Sequence, residues 1–225
     1  MSQASRNAKQ TPESRRQEVQ NAVKNACDHM RADGVNPRDY VEQLAWMFFL
    51  KAFDEAEARR EAESAFNEKP HQHRLTKALR WSVWSKSLLA KPDQLLRFVN
   101  GRLWPKLRAL GDDATAQQFR RIFGTVKNHC RTGTSFAKVV NQVNRLDFGA
   151  QSDIIVLSEL YEGLLKDVAA DSPGYAGEFY TQRHIIGAMV EVVALSLPRF
   201  RGHLLKGGYD GQNGKERATG TTAVQ

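Results

Sequence analysis

The 225-residue chain is long enough for one well-packed core, and its 41% hydrophobic and 26% charged residues are ordinary for a globular domain. The formal net charge of +8 favours a polyanionic partner, because each phosphate that a cation neutralises releases condensed counterions. No apolar run reaches the ~20 residues of a membrane helix, and the polar N-terminus lacks the apolar stretch of a secretory signal. We therefore expect a cytoplasmic protein that contacts no membrane.

The residue types that usually carry metal or nucleophilic chemistry are sparse. Cys27 and Cys130 lack the CxxC spacing of a zinc or redox site and are too few for a disulfide framework, which fits a reducing compartment. His71 and His73 lie two apart without a carboxylate or thiol partner nearby in sequence, so a solvated loop is expected there and no metal site. The sequence predicts no catalytic residue.

Apolar residues at helical spacing predict most of the secondary structure. A disordered arm is expected over 1–14, and its end overlaps the start of a helix that is expected over about 13–32. Asn36 is a suitable N-cap and Pro37 a suitable first residue for a second helix, whose wide apolar stripe implies burial on more than one side. Its charged, alanine-rich continuation from Asp54 to Glu68 is expected to be solvated.

The remaining elements follow the same spacing, except around Trp81 and Trp84, where a short extended piece or a packed loop is expected. Further helices are predicted from Pro92 to Leu103 with an interruption near Trp104-Pro105, over 115–123, over 134–146 with Thr134 as the cap, after Ser152, and after Thr181.

These elements predict an all-α fold, a helical bundle with short connections, because no βαβ alternation and no strand longer than four residues stand out. The bundle is assigned to 15–170, and 171–197 to a linker and helix that lead out of it. A glycine-rich, disordered tail is expected at 198–225.

Four residue strings resemble the N-terminal domain of the modification subunits of type I DNA restriction–modification systems. They occur in the same order as in that family, and the resemblance covers about 15–195. The strings are QLAWMFFLKAFDEAE at 43–57, LRWSVWSK at 79–86, QLLRFVNGRLWPKLRAL at 94–110 and SDIIVLSELYEGLLKDVAADSPGYAGEFYTQRHIIGAMVEVV at 152–193.

The resemblance implies a site-specific adenine-N6 DNA methyltransferase that uses S-adenosyl-L-methionine. Such subunits are expected to assemble with a specificity (S) subunit, a second modification (M) subunit and restriction (R) subunits. The family's glycine-rich turn and Asn-Pro-Pro-Phe/Tyr loop, which carry the reaction, are not found in this sequence. We therefore expect a chain that is cut off before the α/β catalytic domain and is inactive alone.

The GEFYT string suggests one wall of the cofactor site. Thr181 stands at a predicted helix N-terminus, where free N–H groups favour an anion such as the cofactor's carboxylate. Gln182 replaces the proline that the family usually has, so the site is expected to be partial and less preorganised. The cofactor-binding residues implied by the resemblance are Glu178, Phe179, Tyr180, Thr181, Gln182 and Arg183.

Two functions remain open at this point. One is a module that helps assemble the enzyme and grip DNA, and the other is a free-standing helical interaction protein or regulator that binds neither DNA nor cofactor. Clustering of basic residues on one face would favour the first, because phosphate contacts need adjacent cations. The candidate DNA-binding residues are Lys86, Arg97, Arg102, Lys106, Arg120, Arg121, Lys127, Arg131 and Lys138.

Overall fold

A computed structural model describes residues 11–65, 71–111, 113–150, 155–159 and 162. Helices and connecting turns make up these ranges and no strand occurs in them, which confirms the all-α prediction. The predicted linker at 171–197 and the predicted tail at 198–225 lie outside the described residues. The elements are α1 (Pro12–Ala32), α2 (Pro37–Ser64), a 3₁₀ turn (Lys77–Leu79), α3 (Trp81–Ser87), α4 (Pro92–Phe98), a π-helical segment (Val99–Leu103), α5 (Trp104–Arg108), α6 (Ala114–Thr125) and α7 (Gly133–Val143).

Helix α1 begins within the stretch that was expected to be a disordered arm. The Thr11 side chain accepts a hydrogen bond from the Ser14 N–H, and Pro12 occupies the first turn, where a missing N–H costs nothing. The helix ends at Ala32; Gly34 follows with a φ of +72°, which favours glycine, and the Val35 N–H closes the turn on the Met30 carbonyl. The prediction of an arm over 1–14 was therefore wrong for its last residues.

Helix α2 is the centre of the bundle. Asn36 caps it through the Arg38 N–H, as predicted. Trp46 packs edge-on against Trp104 of α5 with ring centroids 4.9 Å apart, and Phe53 packs in the same way on Phe119 of α6. Rings on several helices therefore surround α2, which confirms the burial on more than one side that its wide apolar stripe predicted.

The expectation that α2 becomes solvated from Asp54 onward was wrong for the first turn of that stretch, although most of the residues over 58–65 are exposed as expected. Asp54 and Glu57 are 5% and 2% exposed, and each accepts a hydrogen bond from a backbone N–H elsewhere in the chain. The N–H groups of Ser82 and Arg74 are their donors, both at 2.8 Å. The charges point inward because the segment after α2 and the start of α3 need acceptors for their free N–H groups.

Residues 92–108 form one helical rod, made of α4, the π-helical segment and α5. The sequence predicted an interruption near Trp104-Pro105, but the backbone passes through it in a helical conformation. Pro105 has no N–H to donate, and the wider π turn just before it absorbs the mismatch. Trp81 and Trp84, for which an extended piece or a loop was expected, lie in α3.

The cap of α7 also differs from the prediction. Thr132 caps the helix through the Ser135 N–H, whereas Thr134 was expected to do so. The carboxylate of Asp33 selects Thr132 by accepting hydrogen bonds from its N–H and its hydroxyl. Gly133 then lies so close to α4 that a Cβ there would be 2.6 Å from the Pro92 backbone.

The predicted helix after Ser152 is described only over 155–159 and at 162, where the residues are helical. Leu157 is buried there, as expected. Within the described ranges no helix is both long and apolar enough to span a membrane.

Candidate nucleic-acid interface

Three of the predicted DNA-binding cations stand on the rod formed by residues 92–108. Arg97, Arg102 and Lys106 are all exposed. They are spaced five and four positions apart, and the intervening π turn brings side chains five apart closer to one face than an α-helix would. Their apolar neighbours Val99 and Leu103 are buried, so the cations occupy the solvent side of the rod.

A fourth cation joins them from the connection between α6 and α7. The Asn128 amide donates a hydrogen bond of 3.2 Å to the Asn100 side chain, which places its neighbour Lys127 beside the π-helical segment. Lys127 is exposed. We call this set the basic ridge, and it consists of Arg97, Arg102, Lys106 and Lys127.

The cations of the basic ridge form no close ion pairs among the described residues, although the Glu42 carboxylate acts electrostatically on Lys127. Among the ion pairs between described residues, none includes a ridge cation. Arg97 and Lys106 are nine positions apart, roughly 13 Å along a helix at 1.5 Å per residue. That length spans several phosphates of a duplex, whose strands each carry a charge about every 3.4 Å.

The other predicted cations do not all join the ridge. Arg120 is partly buried and donates to the carbonyls of Leu110 and Gly111, so it has a structural role. Arg131 lies beside Gly34, and Lys138 lies near His29, so both face the α1 side of the bundle. Two further cations, Lys86 on α3 and Arg121 on α6, are exposed without a described bond to the ridge.

Side chains of α2 hold the Lys127 segment in place. Glu42 accepts the Lys127 N–H at 2.9 Å and lies 3.0 Å from His129 Nε2, while Gln43 accepts the His129 N–H at 2.7 Å. Burial alone would raise the pKa of Glu42, but the hydrogen bonds from His129 and Lys127 lower it. Asp33 fixes the end of the same segment and also has a lowered pKa, because hydrogen bonds to Thr132 and its neighbours outweigh its burial.

Sequence reasoning missed the residues that assemble this surface. Asn100, Asn128 and His129 carry no recognisable motif, and Glu42 is one acidic residue among many on its helix. The only local signal was the family-like string at 94–110, which includes Asn100 within its Phe-Val-Asn stretch. Their roles depend on hydrogen bonds between segments far apart in the chain, which periodicity does not reveal.

The predicted cofactor wall, residues 178–183, lies outside the described residues and stays a prediction from sequence.

Both cysteines are buried and free, and burial raises the pKa of Cys27 to about 11 and that of Cys130 to about 12, so neither is a reactive thiolate.

The histidine loop is not the solvated loop that was expected. His73 Nε2 lies 2.8 Å from Glu61 Oε2, and His71 Nε2 lies 3.2 Å from Glu57 Oε1. These carboxylates come from the preceding helix α2, where the sequence showed no partner. Across the described part of the chain, no three histidine, cysteine or acidic side chains converge as metal ligands.

Comparison with known families and proteins matches the helical region described above. Residues 19–143 match the HsdM N-terminal domain family. The methylase subunit of the type I restriction enzyme EcoEI of Escherichia coli is 32% identical over 179 residues, which cover 76% of this chain and 35% of that protein. The EcoKI methylase subunit of Escherichia coli K12 is 25% identical, covering 74% and 28%. The chain therefore spans about a third of the length of these relatives.

Solved structures of similar chains share the fold. A chain from a study of complex assembly and conformational transition of the type I R-M system superimposes with a TM-score of 0.63 at 35% identity, covering 75% of this chain and 34% of that one. The crystal structure of a modification subunit from Vibrio vulnificus YJ016 gives a TM-score of 0.61 at 29% identity, covering 80% and 40%.

Proposed function

The chain belongs to the HsdM N-terminal domain family of type I restriction-enzyme methylase subunits, and on that basis we propose that it contacts the DNA duplex within a cytoplasmic adenine-N6 methyltransferase. The contact we propose is to phosphates and independent of sequence, so it supplies affinity and leaves base recognition to another subunit. The observation that carries this proposal is the basic ridge, four exposed cations brought together from two separate segments.

The arrangement of the ridge supports phosphate contact over a merely solvated helix face. Charges of both signs on a solvated face often pair at close range, whereas no ion pair between described residues includes a ridge cation. The nearby acidic groups are Glu42, which acts electrostatically on Lys127, and the exposed Asp93. Gly101 lies on the rod between Arg97 and Arg102, and no atom of the described residues lies within 4 Å of the position its Cβ would occupy. The described part of the chain therefore leaves the middle of the rod uncovered.

The test is duplex binding by the purified chain as a function of salt. Each cation that contacts one phosphate contributes about 0.9 to the slope of log K against log salt. Replacing Arg97, Arg102 and Lys106 with alanine should therefore weaken binding and lower the slope by up to about three such contributions. The measurement is fluorescence anisotropy of a labelled duplex in a salt series.

The matched control is the double variant Arg131→Ala with Lys138→Ala, which removes exposed cations from the α1 side of the bundle. It should leave the slope close to that of the unsubstituted chain. Equal losses in both variants would mean that the duplex responds to net charge alone, and the role of the ridge would have to be abandoned. Absence of binding would favour the free-standing interaction module.

Two further parts of the proposal concern the cofactor and the partner subunits. We propose that residues 178–183 wall the methionine end of an S-adenosyl-L-methionine site, on the strength of the GEFYT resemblance. Calorimetric titration of that cofactor into the chain, with Thr181→Ala as the control, tests the claim. Heat that the control abolishes would support a partial site, whereas no heat would leave this chain without one.

Assembly with an S subunit, a second M subunit and R subunits is likewise a proposal from the family. Co-purification of the chain with an S subunit is its direct test. Retention at a fixed stoichiometry supports the role, and independent elution contradicts it.

A further inference from the structure

The imidazole of His129 lies between two carboxylates near the start of α2. Its Nε2 is 3.0 Å from Glu42 Oε1, and its Nδ1 is 3.3 Å from Asp39 Oδ2. The His129 side chain is 18% exposed, so water screens these contacts only in part. A carboxylate only accepts hydrogen bonds and a neutral imidazole carries a single N–H, so only the doubly protonated ring can donate to both carboxylates.

The same cluster fixes the part of the basic ridge that is not on the rod. The Lys127 N–H donates to the Glu42 oxygen that faces the ring, and the His129 N–H donates to Gln43. Between these two anchors, Asn128 reaches across to Asn100 on the rod. The position of Lys127 relative to the rod therefore depends in part on the Glu42 carboxylate, on which the Lys127 N–H and the His129 ring converge.

We propose that His129 is a positioning residue for duplex binding, whose protonated ring holds Lys127 and Asn128 against the rod and whose deprotonation loosens them. The inference rests on the proposed phosphate contact and deepens it by naming how that contact is regulated. When the ring loses its proton, one nitrogen presents a lone pair to a carboxylate oxygen 3.0–3.3 Å away, which is repulsive.

The charges around the ring determine the pH at which His129 loses its proton. The hydrogen bond to Glu42 raises the pKa of His129, burial opposes the rise, Asp39 adds to it, and Lys127 opposes it. The pKa of His129 therefore lies above the ordinary value of 6.5 of an imidazole, the side chain that most readily acts as a switch at physiological pH.

The experiment measures the affinity of the purified chain for a short labelled duplex between about pH 6 and pH 8.5 at constant ionic strength. Affinity should fall as the pH rises through the titration of His129, by about three- to tenfold. The variant His129→Gln, which keeps polar groups but cannot gain a proton, should bind weakly at low pH and lose this dependence. His29→Gln on α1 is the matched control and should keep the profile.

A second variant and a double variant separate positioning from simple charge. Glu42→Gln keeps an acceptor for the Lys127 N–H but removes the charge, so the midpoint of the profile should move to lower pH. In a Lys127→Ala background, a positioning effect of His129→Gln should largely vanish, whereas a simple charge effect would add to that of Lys127→Ala.

Circular dichroism confirms that each variant is folded. Binding with an unchanged pH profile in His129→Gln, or additive effects in the double variant, would overturn this inference and leave the proposed function intact. Failure of the unsubstituted chain to bind at every pH would overturn both.

Discussion

Gly133 in α7 and Gly101 in the π-helical segment differ in the space available for an added methyl group. A Cβ at Gly133 would meet the Pro92 backbone at 2.6 Å, and backbone cannot move aside as a flexible side chain can. We expect Gly133→Ala to lower the free energy of unfolding by about 1–3 kcal/mol. Gly101→Ala has open space around it and should be neutral or stabilising by up to about 1 kcal/mol. Urea denaturation of both variants checks this, and equal effects would contradict the close approach of α4 and α7.

The ionisation of His129 should also appear in the stability of the fold. Its pKa is raised in the folded state, mainly by the hydrogen bond to Glu42, so its contribution is fully present below about pH 6.5. The contribution is then lost as the pH rises through the raised pKa. Thermal unfolding between about pH 6 and pH 8.5 should show this decline, and His129→Gln should flatten it. An unchanged decline in that variant would assign it to another group.

The stability that Glu42 contributes depends on pH in the opposite direction from that of His129. The pKa of Glu42 is lowered by hydrogen bonds that outweigh its burial, so the stability it adds is present above the ordinary value of 4.5 and is lost as the pH falls through the lowered pKa. Glu42→Gln should shrink the loss of stability on acidification. Unfolding transitions recorded from about pH 5 downward measure it, and a loss as large as in the unsubstituted chain would contradict the assignment.

At the scale of elements, α2 acts as a capping partner for α3. The side chain of Arg80, the N-cap residue of α3, forms no capping hydrogen bond, and the Asp54 carboxylate of α2 accepts the Ser82 N–H instead. Asp54→Ala should lower the free energy of unfolding by about 1–2 kcal/mol, because the part-buried N–H loses its capping acceptor. Glu63 is exposed on the same helix, and Glu63→Ala should change stability by less than about 0.5 kcal/mol. Equal losses in chemical denaturation would refute this role.

Local signals predicted the helices well wherever the cause was local. The Asn36-Pro37 start and the apolar spacing of α7 are written in neighbouring residues, and the structure confirms both. The burial of the Asp54 carboxylate could not be predicted, because its hydrogen-bond donor Ser82 lies 28 residues away. The choice of Thr132 over its neighbour as a cap depends likewise on a carboxylate 99 residues distant.

The candidate surface was predictable in part for the same reason. Net charge and residue type pointed to nine cations, but three of the four that meet share the rod, whose π turn has no clear sequence signature. Lys127 joins them through hydrogen bonds between segments far apart in the chain, from Asn128 to Asn100 and from its own N–H to Glu42. The sequence did not distinguish Arg120 from the other candidate cations, yet its guanidinium donates hydrogen bonds to two backbone carbonyls.

For the molecule as a whole, we propose that the domain has one DNA-facing side and one side that lacks this role. The rod and the Lys127 segment form the first, while α1 with Arg131 and Lys138 forms the second. Helix α2 connects them, since its buried aromatic rings pack on α5, α6 and α7 and its polar side chains hold the Lys127 segment. Duplex binding should therefore alter the rod and the Lys127 segment without rearranging the core.

The most direct test is to map backbone hydrogen exchange of the chain with and without a DNA duplex. We expect added protection over 97–106 and at Lys127 and Asn128, with α1 and residues 131–138 unchanged. Protection centred on α1 or on 131–138, with none on the rod, would contradict the assignment of the basic ridge as the DNA-contacting surface.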